Sequence, residues 1–270
     1  MKNLKLFEDY VTTLQRMNYS ENTIKVYLSY FKEFVNSFEN KNVRHISYDE
    51  IVGYLNKLLD NGELSSTKQN QIINCIKFYY EKILSQPKKF YKLKRPRGEK
   101  KLPRVIDQQD LIGKIAIIPN LKHKTILTLA YSVGLRVSEI VNLKINDIDS
   151  KRMLIHINNA KGRKDRIVPL SETVLKLLRF YFVNYKPVEF LFNGQNSPKY
   201  SIGSCQQIYK KYIDTKTSIH NLRHSSFTHL LENGTDLRLI QKIAGHSNVK
   251  TTEIYTHVST KLLSKVQLPI

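Results

Sequence analysis

Cysteine is nearly absent from this chain: Cys75 and Cys205 are the only two in 270 residues, and neither sits in a pairing pattern. Two isolated cysteines give neither a disulfide framework nor a zinc-ligand spacing. Cys75 falls inside the apolar run Ile72-Ile73-Asn74-Cys75-Ile76, which reads as core. Long apolar runs are also missing, so no segment is long enough to cross a bilayer. The first residues do not form a signal segment, because Glu8, Asp9 and Arg16 interrupt them. These absences predict a soluble protein of a reducing cytoplasm with no membrane partner. Acidic residues are the third shortage: 23 Asp and Glu face 44 Lys and Arg, a formal charge of +21. The excess is shared, with 18 basic against 11 acidic residues up to position 100 and 26 against 12 beyond it. Charge about half this size is enough for solubility. The surplus therefore points to nucleic acid as the partner, touched by both parts of the chain.

What is present is helical periodicity. Residues 1–86 read as a four-helix domain. Leu6, Tyr10, Val11 and Leu14 recur at helical spacing. Ser20 is a suitable N-cap for a second helix carrying Ile24, Tyr27, Leu28, Phe31, Phe34 and Val35. Ser47 or Asp49 starts a third through Ile51, Tyr54, Leu55 and Leu58, ending near Asn61-Gly62, and Ser65 or Ser66 a fourth through Ile72, Ile73, Ile76, Tyr79, Tyr80 and Ile83. These stripes are core, which leaves the lysines off them, Lys25, Lys32, Lys68 and Lys77, to face nucleic acid. Residues 87–104 change character. Pro87, Pro96, Gly98 and Pro103 block regular structure, and Lys88, Lys89, Lys92, Lys94, Arg95, Arg97, Lys100, Lys101 and Arg104 are opposed by Glu99 alone. This is a basic interdomain linker, either a solvated tether or a strap along a phosphate backbone.

Residues 105–270 read as a second, mostly helical domain with a small antiparallel sheet, so the fold class is mainly α. Helices are expected over 107–117, 122–132, 139–143, 172–185, 201–212, 220–232, 237–244 and 249–255. Two short strands, 152–158 and 165–169, are joined through Lys161-Gly162.

Five pieces of this second part carry chemistry: Gly134-Leu-Arg136-Val-Ser-Glu139, Ala160-Lys161-Gly-Arg163-Lys164-Asp-Arg166, His220-Asn-Leu-Arg223-His224, Gly245-His246 and Glu253-Ile-Tyr255-Thr-His257. Guanidinium groups grip phosphate bidentately and stay charged. A lysine can protonate a leaving alkoxide, an imidazole can take a proton, and a tyrosyl oxygen can be a nucleophile. The set suits phosphodiester chemistry with no metal and no cofactor. Ser138 is the N-cap expected for the helix of Glu139, which would set Arg136 near a helix start where anions are favoured. Glu139 could orient Arg136 or a histidine, or could simply be a helix-start acid. Lys161, Arg163, Lys164 and Arg166 all compete for the leaving-group role, which leaves three of them to contact the DNA backbone. His220, Arg223 and His224 share a helix face, with Ser218 as its candidate cap. A zinc pair at His220 and His224 is the rival reading, but it lacks the metalloprotease glutamate and sets an arginine beside the ion. His224 and His229 are read as structural. Tyr255 is one of sixteen tyrosines, and a free phenol near pH 7 lies about 4 kcal/mol short of phenolate.

In order, spacing and flanking residues these pieces resemble the tyrosine recombinase (phage integrase) family, most closely its Xer-like members, over essentially the whole chain. The resemblance implies a core-binding, SAM-like N-terminal domain and a catalytic domain that clamp a duplex between them. It implies Tyr255 as the nucleophile, Arg136, Arg223 and His246 as ligands of the scissile phosphate, Lys161 as the acid for the departing 5′ oxygen, and His220 as the base, with His257 the competing base and Glu139 in support. Lys25, Lys68, Lys94, Arg95, Arg97, Lys100, Arg163 and Lys164 would hold the DNA backbone. The activity implied is site-specific recombination through a 3′-phosphotyrosine and a Holliday junction, by a homo-tetramer, or a hetero-tetramer with a related recombinase, on a double-stranded site. Resolution of chromosome dimers and integration of a mobile element both fit. A topoisomerase-like nicking enzyme and a non-catalytic helical regulator are the rivals; the regulator would leave no covalent adduct on a denaturing gel. The tail beyond Tyr255, with Leu262, Leu263, Val266 and Leu268, is expected to dock on a neighbouring subunit or fold back on its own domain.

Overall fold

The computed structural model describes residues 3–39, 41–62, 65–87, 102–158 and 165–256. Contacts divide the chain into two compact units, Met1–Lys100 and Lys101–Ile270. The first is built from α1 (Leu4–Arg16), α2 (Glu21–Asn36), α3 (Tyr48–Asp60) and α4 (Ser66–Phe78), the last running into a π-helical turn at Tyr79–Ile83. The four predicted helices are all present, and the starts of the last three follow the predicted capping chemistry. Ser20, Ser47 and Ser65 each accept a hydrogen bond from the backbone N–H three residues on, and Glu50 returns the bond to Ser47. The stripes become the core: Tyr10, Leu14, Phe31, Phe34, Ile51, Ile72, Cys75 and Tyr79 are buried together. Tyr10 stacks on Phe31 at 4.2 Å and donates its hydroxyl proton to the Cys75 carbonyl at 2.9 Å. A phenol in the core needs such a partner, and burial pushes both its pKa and that of the Cys75 thiol up.

The second unit runs α5 (Gln108–Ala116), α6 (Leu121–Ser132), α7 (Val137–Asn142), β1 (Ile148–Asp149), β2 (Leu154–Ile157), β3 (Arg166–Pro169), α8 (Glu172–Tyr185), α9 (Ile202–Tyr212), α10 (His220–Glu232), α11 (Leu237–Ala244) and α12 (Lys250–Glu253). The antiparallel sheet has order β1-β2-β3, with Ile148 opposite Ile155 and Ile155 opposite Val168. Three strands stand where the sequence predicts two, because a two-residue strand is too short to show alternation. Ile155, Ile157 and Val168 point inward.

Helix α10 packs against α6 and α11. Asn221, Leu222, Arg223, Ser225, Ser226, Phe227, Thr228 and His229 are all buried on it. A helix enclosed nearly all round must satisfy its polar groups internally, and His229 does so by bonding the Tyr131 hydroxyl at 2.8 Å. Two predicted caps are corrected. Arg136, not Ser138, is the N-cap of α7: its carbonyl receives the Glu139 and Ile140 amides, and Glu139 takes the Arg136 N–H at 2.8 Å. Helix α10 starts after Ile219, with no side-chain cap from Ser218. The last predicted helix, 249–255, shortens to α12, and residues 254–256 form a turn that carries Tyr255.

Candidate active site

Arg223 is the organising side chain. It is 1% exposed, and an unpaired guanidinium at that depth would be prohibitive. Nη1 donates to the Gly134 carbonyl, Nη2 to the Ala244 carbonyl, and its plane lies 4.7 Å over the Phe227 ring. One buried cation thus joins the loop before α7 to the C-terminal end of α11. Gly134 makes the approach possible. Its φ is +64°, and a Cβ there would meet the Phe227 ring at 2.7 Å. Arg136 follows two residues later, half-buried, at the start of α7.

Gly245 closes α11 in the left-handed conformation, and the next residue is His246. His246 Nε2 lies 3.3 Å from Arg223 Nη2, and Nδ1 lies 3.0 Å from Thr252 Oγ1. A guanidinium only donates, so Nε2 is the acceptor and the ring proton sits on Nδ1, directed at Thr252. Burial, then the charges of Arg223 and Arg136, lower the His246 pKa to about 4. The Tyr255 ring stacks against His246 at 6.4 Å with an 18° interplanar angle, and meets Phe227 at 5.5 Å and His224 at 5.9 Å. Tyr255 is 1% exposed. Burial raises its pKa, while Arg223 and Arg136 pull it down.

His220 opens α10 on the exposed side, edge-on to His224 at 4.6 Å. Desolvation, with Arg223 and Arg136 behind it, lowers the His220 pKa, so the ring is neutral at pH 7 and can accept a proton. His224 is held at about 4 by burial first and then by His220 and Arg223, and its Nδ1 has no partner among the described residues. Glu139 sits under the cluster. Burial pushes its carboxyl up, but hydrogen bonds and charge from Arg166, with those of Arg136, outweigh that and hold it at about 2. Among the described residues no three His, Cys, Asp or Glu side chains gather in a metal-holding group.

Arg136, Glu139, His220, Arg223, His246 and Tyr255 are therefore drawn into one cluster from the start of α7, α7 itself, α10, the end of α11 and the turn after α12. Lys161, Arg163, Lys164, Lys94, Arg95, Arg97, Lys100 and His257, together with the tail 257–270, lie outside the described residues. In the first unit Lys25 is exposed and Lys68 half-buried on the first turn of α4. Two residues gain a place that sequence reasoning did not give them. Thr252, fully buried, holds His246. Arg166, read as one of four cations competing for the leaving-group role, forms a buried ion pair with Glu139. Its signal was the strand period, since Arg166 shares the inward face of β3 with Val168.

Residues 107–261 match the phage integrase family, and residues 6–89 match the phage integrase N-terminal SAM-like domain. The tyrosine recombinase XerA of Pyrococcus horikoshii is 34% identical over 269 residues, covering 97% of this chain and 92% of that protein. The tyrosine recombinase XerD of Staphylococcus epidermidis is 31% identical, covering 97% and 96%. Among solved structures, a crystal structure of XerA recombinase is similar with 28% identity, 96% of each chain covered and a TM-score of 0.55. A lambda integrase (75-356) dimer bound to a COC′ core site shares the fold, with a TM-score of 0.74, 16% identity and coverage of 99% and 98%.

Proposed function

The chain belongs to the phage integrase family and is a site-specific tyrosine recombinase, and from that premise we propose that Tyr255 is its nucleophile, acting within its own subunit's cluster. The observation that carries this reading is the stacking of Tyr255 on His246, itself bonded to the buried Arg223. One side chain for each task lies within that cluster, apart from Lys161.

In the proposed reaction the Tyr255 oxygen attacks the scissile phosphorus while His220 takes the phenolic proton. The bond from phosphorus to the 5′ oxygen breaks, and Lys161 gives that oxygen a proton, leaving a 3′-phosphotyrosine and a free 5′-hydroxyl. Arg136, Arg223 and His246 hold the non-bridging oxygens, where positive charge stabilises the transition state. A bound phosphate favours protonated His246, so Nε2 changes from accepting an Arg223 proton to donating one to phosphate. Attack by the partner strand's 5′-hydroxyl restores the phosphodiester and releases Tyr255. The phosphotyrosyl link conserves the bond, so the cycle needs no ATP, and the two guanidiniums take the place of a metal ion.

Double-stranded DNA is the proposed partner, and both units are basic enough to contribute to it. Residues 1–86 and 105–270 would be the core-binding and catalytic domains, with 87–104 as the linker between them. Lys25, Lys68, Lys94, Arg95, Arg97, Lys100, Arg163 and Lys164 would contact phosphates. Strand exchange through a Holliday junction would need four subunits, identical or paired with a related recombinase, and the cytoplasm is the compartment where that DNA lies. The experiment is a denaturing gel after incubation in EDTA with a nicked duplex carrying the site this protein selects from a randomised pool. Wild type should leave a covalent adduct and Tyr255→Phe none. An adduct from the Phe variant removes Tyr255 from its role, and an adduct lost in chelator and restored by a divalent ion overturns the metal-free chemistry.

A further inference from the structure

Arg166 and Glu139 form a buried charge pair that the reaction above does not use. Arg166 Nη1 and Nη2 bind Glu139 Oε1 and Oε2 at 2.7 and 2.8 Å, and Arg166 Nε donates to the Ile243 carbonyl at 2.7 Å. The side chains are 7% and 4% exposed. Arg136 reaches the same carboxylate through Nη1 alone, at 2.9 Å, and its Nε and Nη2 bond no described residue.

A buried carboxylate attracts every guanidinium in reach and forms its strongest contact bidentately. Were Arg166 absent, Arg136 would be the remaining arginine bonded to Glu139, and the fork–fork geometry that grips a phosphate would be spent on the protein's own acid. With both oxygens already occupied in parallel by Arg166, Arg136 can keep only an end-on contact. That contact holds its orientation while leaving Nε and Nη2 without a partner among the described residues. We propose that Arg166 is a positioning residue for the cleavage reaction: by saturating Glu139 it keeps the Arg136 guanidinium available to the scissile phosphate. The same side chain ties β3 to the end of α11, one turn before His246, and a Cβ at Gly245 would stand 3.0 Å from its Cδ.

This rests on the role given to Arg136 above, and the test separates the two. Single-turnover adduct formation and DNA affinity are measured on the nicked duplex for Arg136→Ala, Arg166→Gln, Glu139→Gln and Arg166→Gln/Glu139→Gln. If Arg136→Ala cleaves at the wild-type rate, the reading of the site fails, and this proposal with it. If Arg136 is required, Arg166→Gln should cleave about 100-fold more slowly with unchanged affinity. The double variant should recover at least about tenfold of that loss, because a neutral amide in place of the Glu139 carboxylate no longer captures Arg136 yet still accepts its backbone N–H. Arg166→Gln cleaving normally would overturn the proposal. So would a double variant no faster than the single, since a mere strut is not repaired by removing its partner. Should Arg166→Gln fail to fold, the comparison of Glu139→Gln with the double variant decides. Equal rates support charge saturation, and a further large loss in the double variant contradicts it.

Discussion

Replacing Gly134 by alanine tests the link between backbone conformation and the buried Arg223 cluster. The residue has φ +64°, which costs a non-glycine residue about 1–2 kcal/mol. The added Cβ would stand 2.7 Å from Phe227 Cε1 and Cζ, both atoms of a rigid ring, and overpacking of this kind costs about 1–3 kcal/mol. Together they destabilise the second unit by about 2–5 kcal/mol, or roughly 4–20 °C in Tm for a domain of this size. Phe227 cannot yield freely, because Arg223 lies over its face and Tyr255 packs against it at 5.5 Å. Relief by moving the ring would displace both, so adduct formation should fall by more than the fraction of unfolded protein explains. Calorimetry and single-turnover cleavage on one preparation measure both effects. Gly53→Ala is the control: it lies inside α3 with nothing within 4 Å of its added Cβ, and should gain about 0.5–1 kcal/mol. A Gly134→Ala protein that melts and cleaves like wild type would refute the reasoning.

Three further outcomes are expected. Lys161→Ala should lose cleavage of ordinary DNA and regain it when the leaving 5′ oxygen is replaced by sulfur, since a thiolate departs without a proton donor; equal loss on both substrates removes Lys161 from that role. Because burial and then Arg223 and Arg136 lower the His220 pKa, its basic form is retained below the ordinary imidazole value of about 6.5. The acid limb of kcat/KM, which reports the free enzyme, should therefore fall below that pH, and a limb above it would contradict the assignment. Truncation after Ser259 should spare binding to a single site and abolish recombination of paired sites; full-length rates from the truncated protein would show that the tail has no role in assembly.

Most of the helical framework was readable because local chemistry set it. Ser20, Ser47 and Ser65 act within three residues of themselves, and the stripe Tyr10, Phe31, Ile72 follows from helical period alone. The order of the motifs likewise led to the cluster of Arg136, Glu139, His220, Arg223, His246 and Tyr255. What sequence reasoning missed depends on distant partners or on a side chain folding back. Ser138 has better N-cap chemistry than Arg136, yet the helix starts two positions earlier because Glu139 folds back onto the Arg136 N–H. Arg166 looked like one more cation for the leaving group or the DNA backbone until Glu139, 27 residues away in sequence, gave it a buried counter-charge. Helix α10 shows no clean apolar face because polar side chains are themselves inside it: Arg223 is bonded to α11 and the loop at Gly134, and His229 to α6.

The central claim is that one tyrosine of the sixteen forms the covalent link to DNA. The direct measurement is peptide mapping by mass spectrometry of the adduct trapped on the nicked duplex, after nuclease trimming leaves a single nucleotide attached. The account predicts a 3′-nucleotide on the peptide containing Tyr255 and on no other tyrosine peptide. A nucleotide on any other residue, or linkage through a 5′-phosphate, would contradict it.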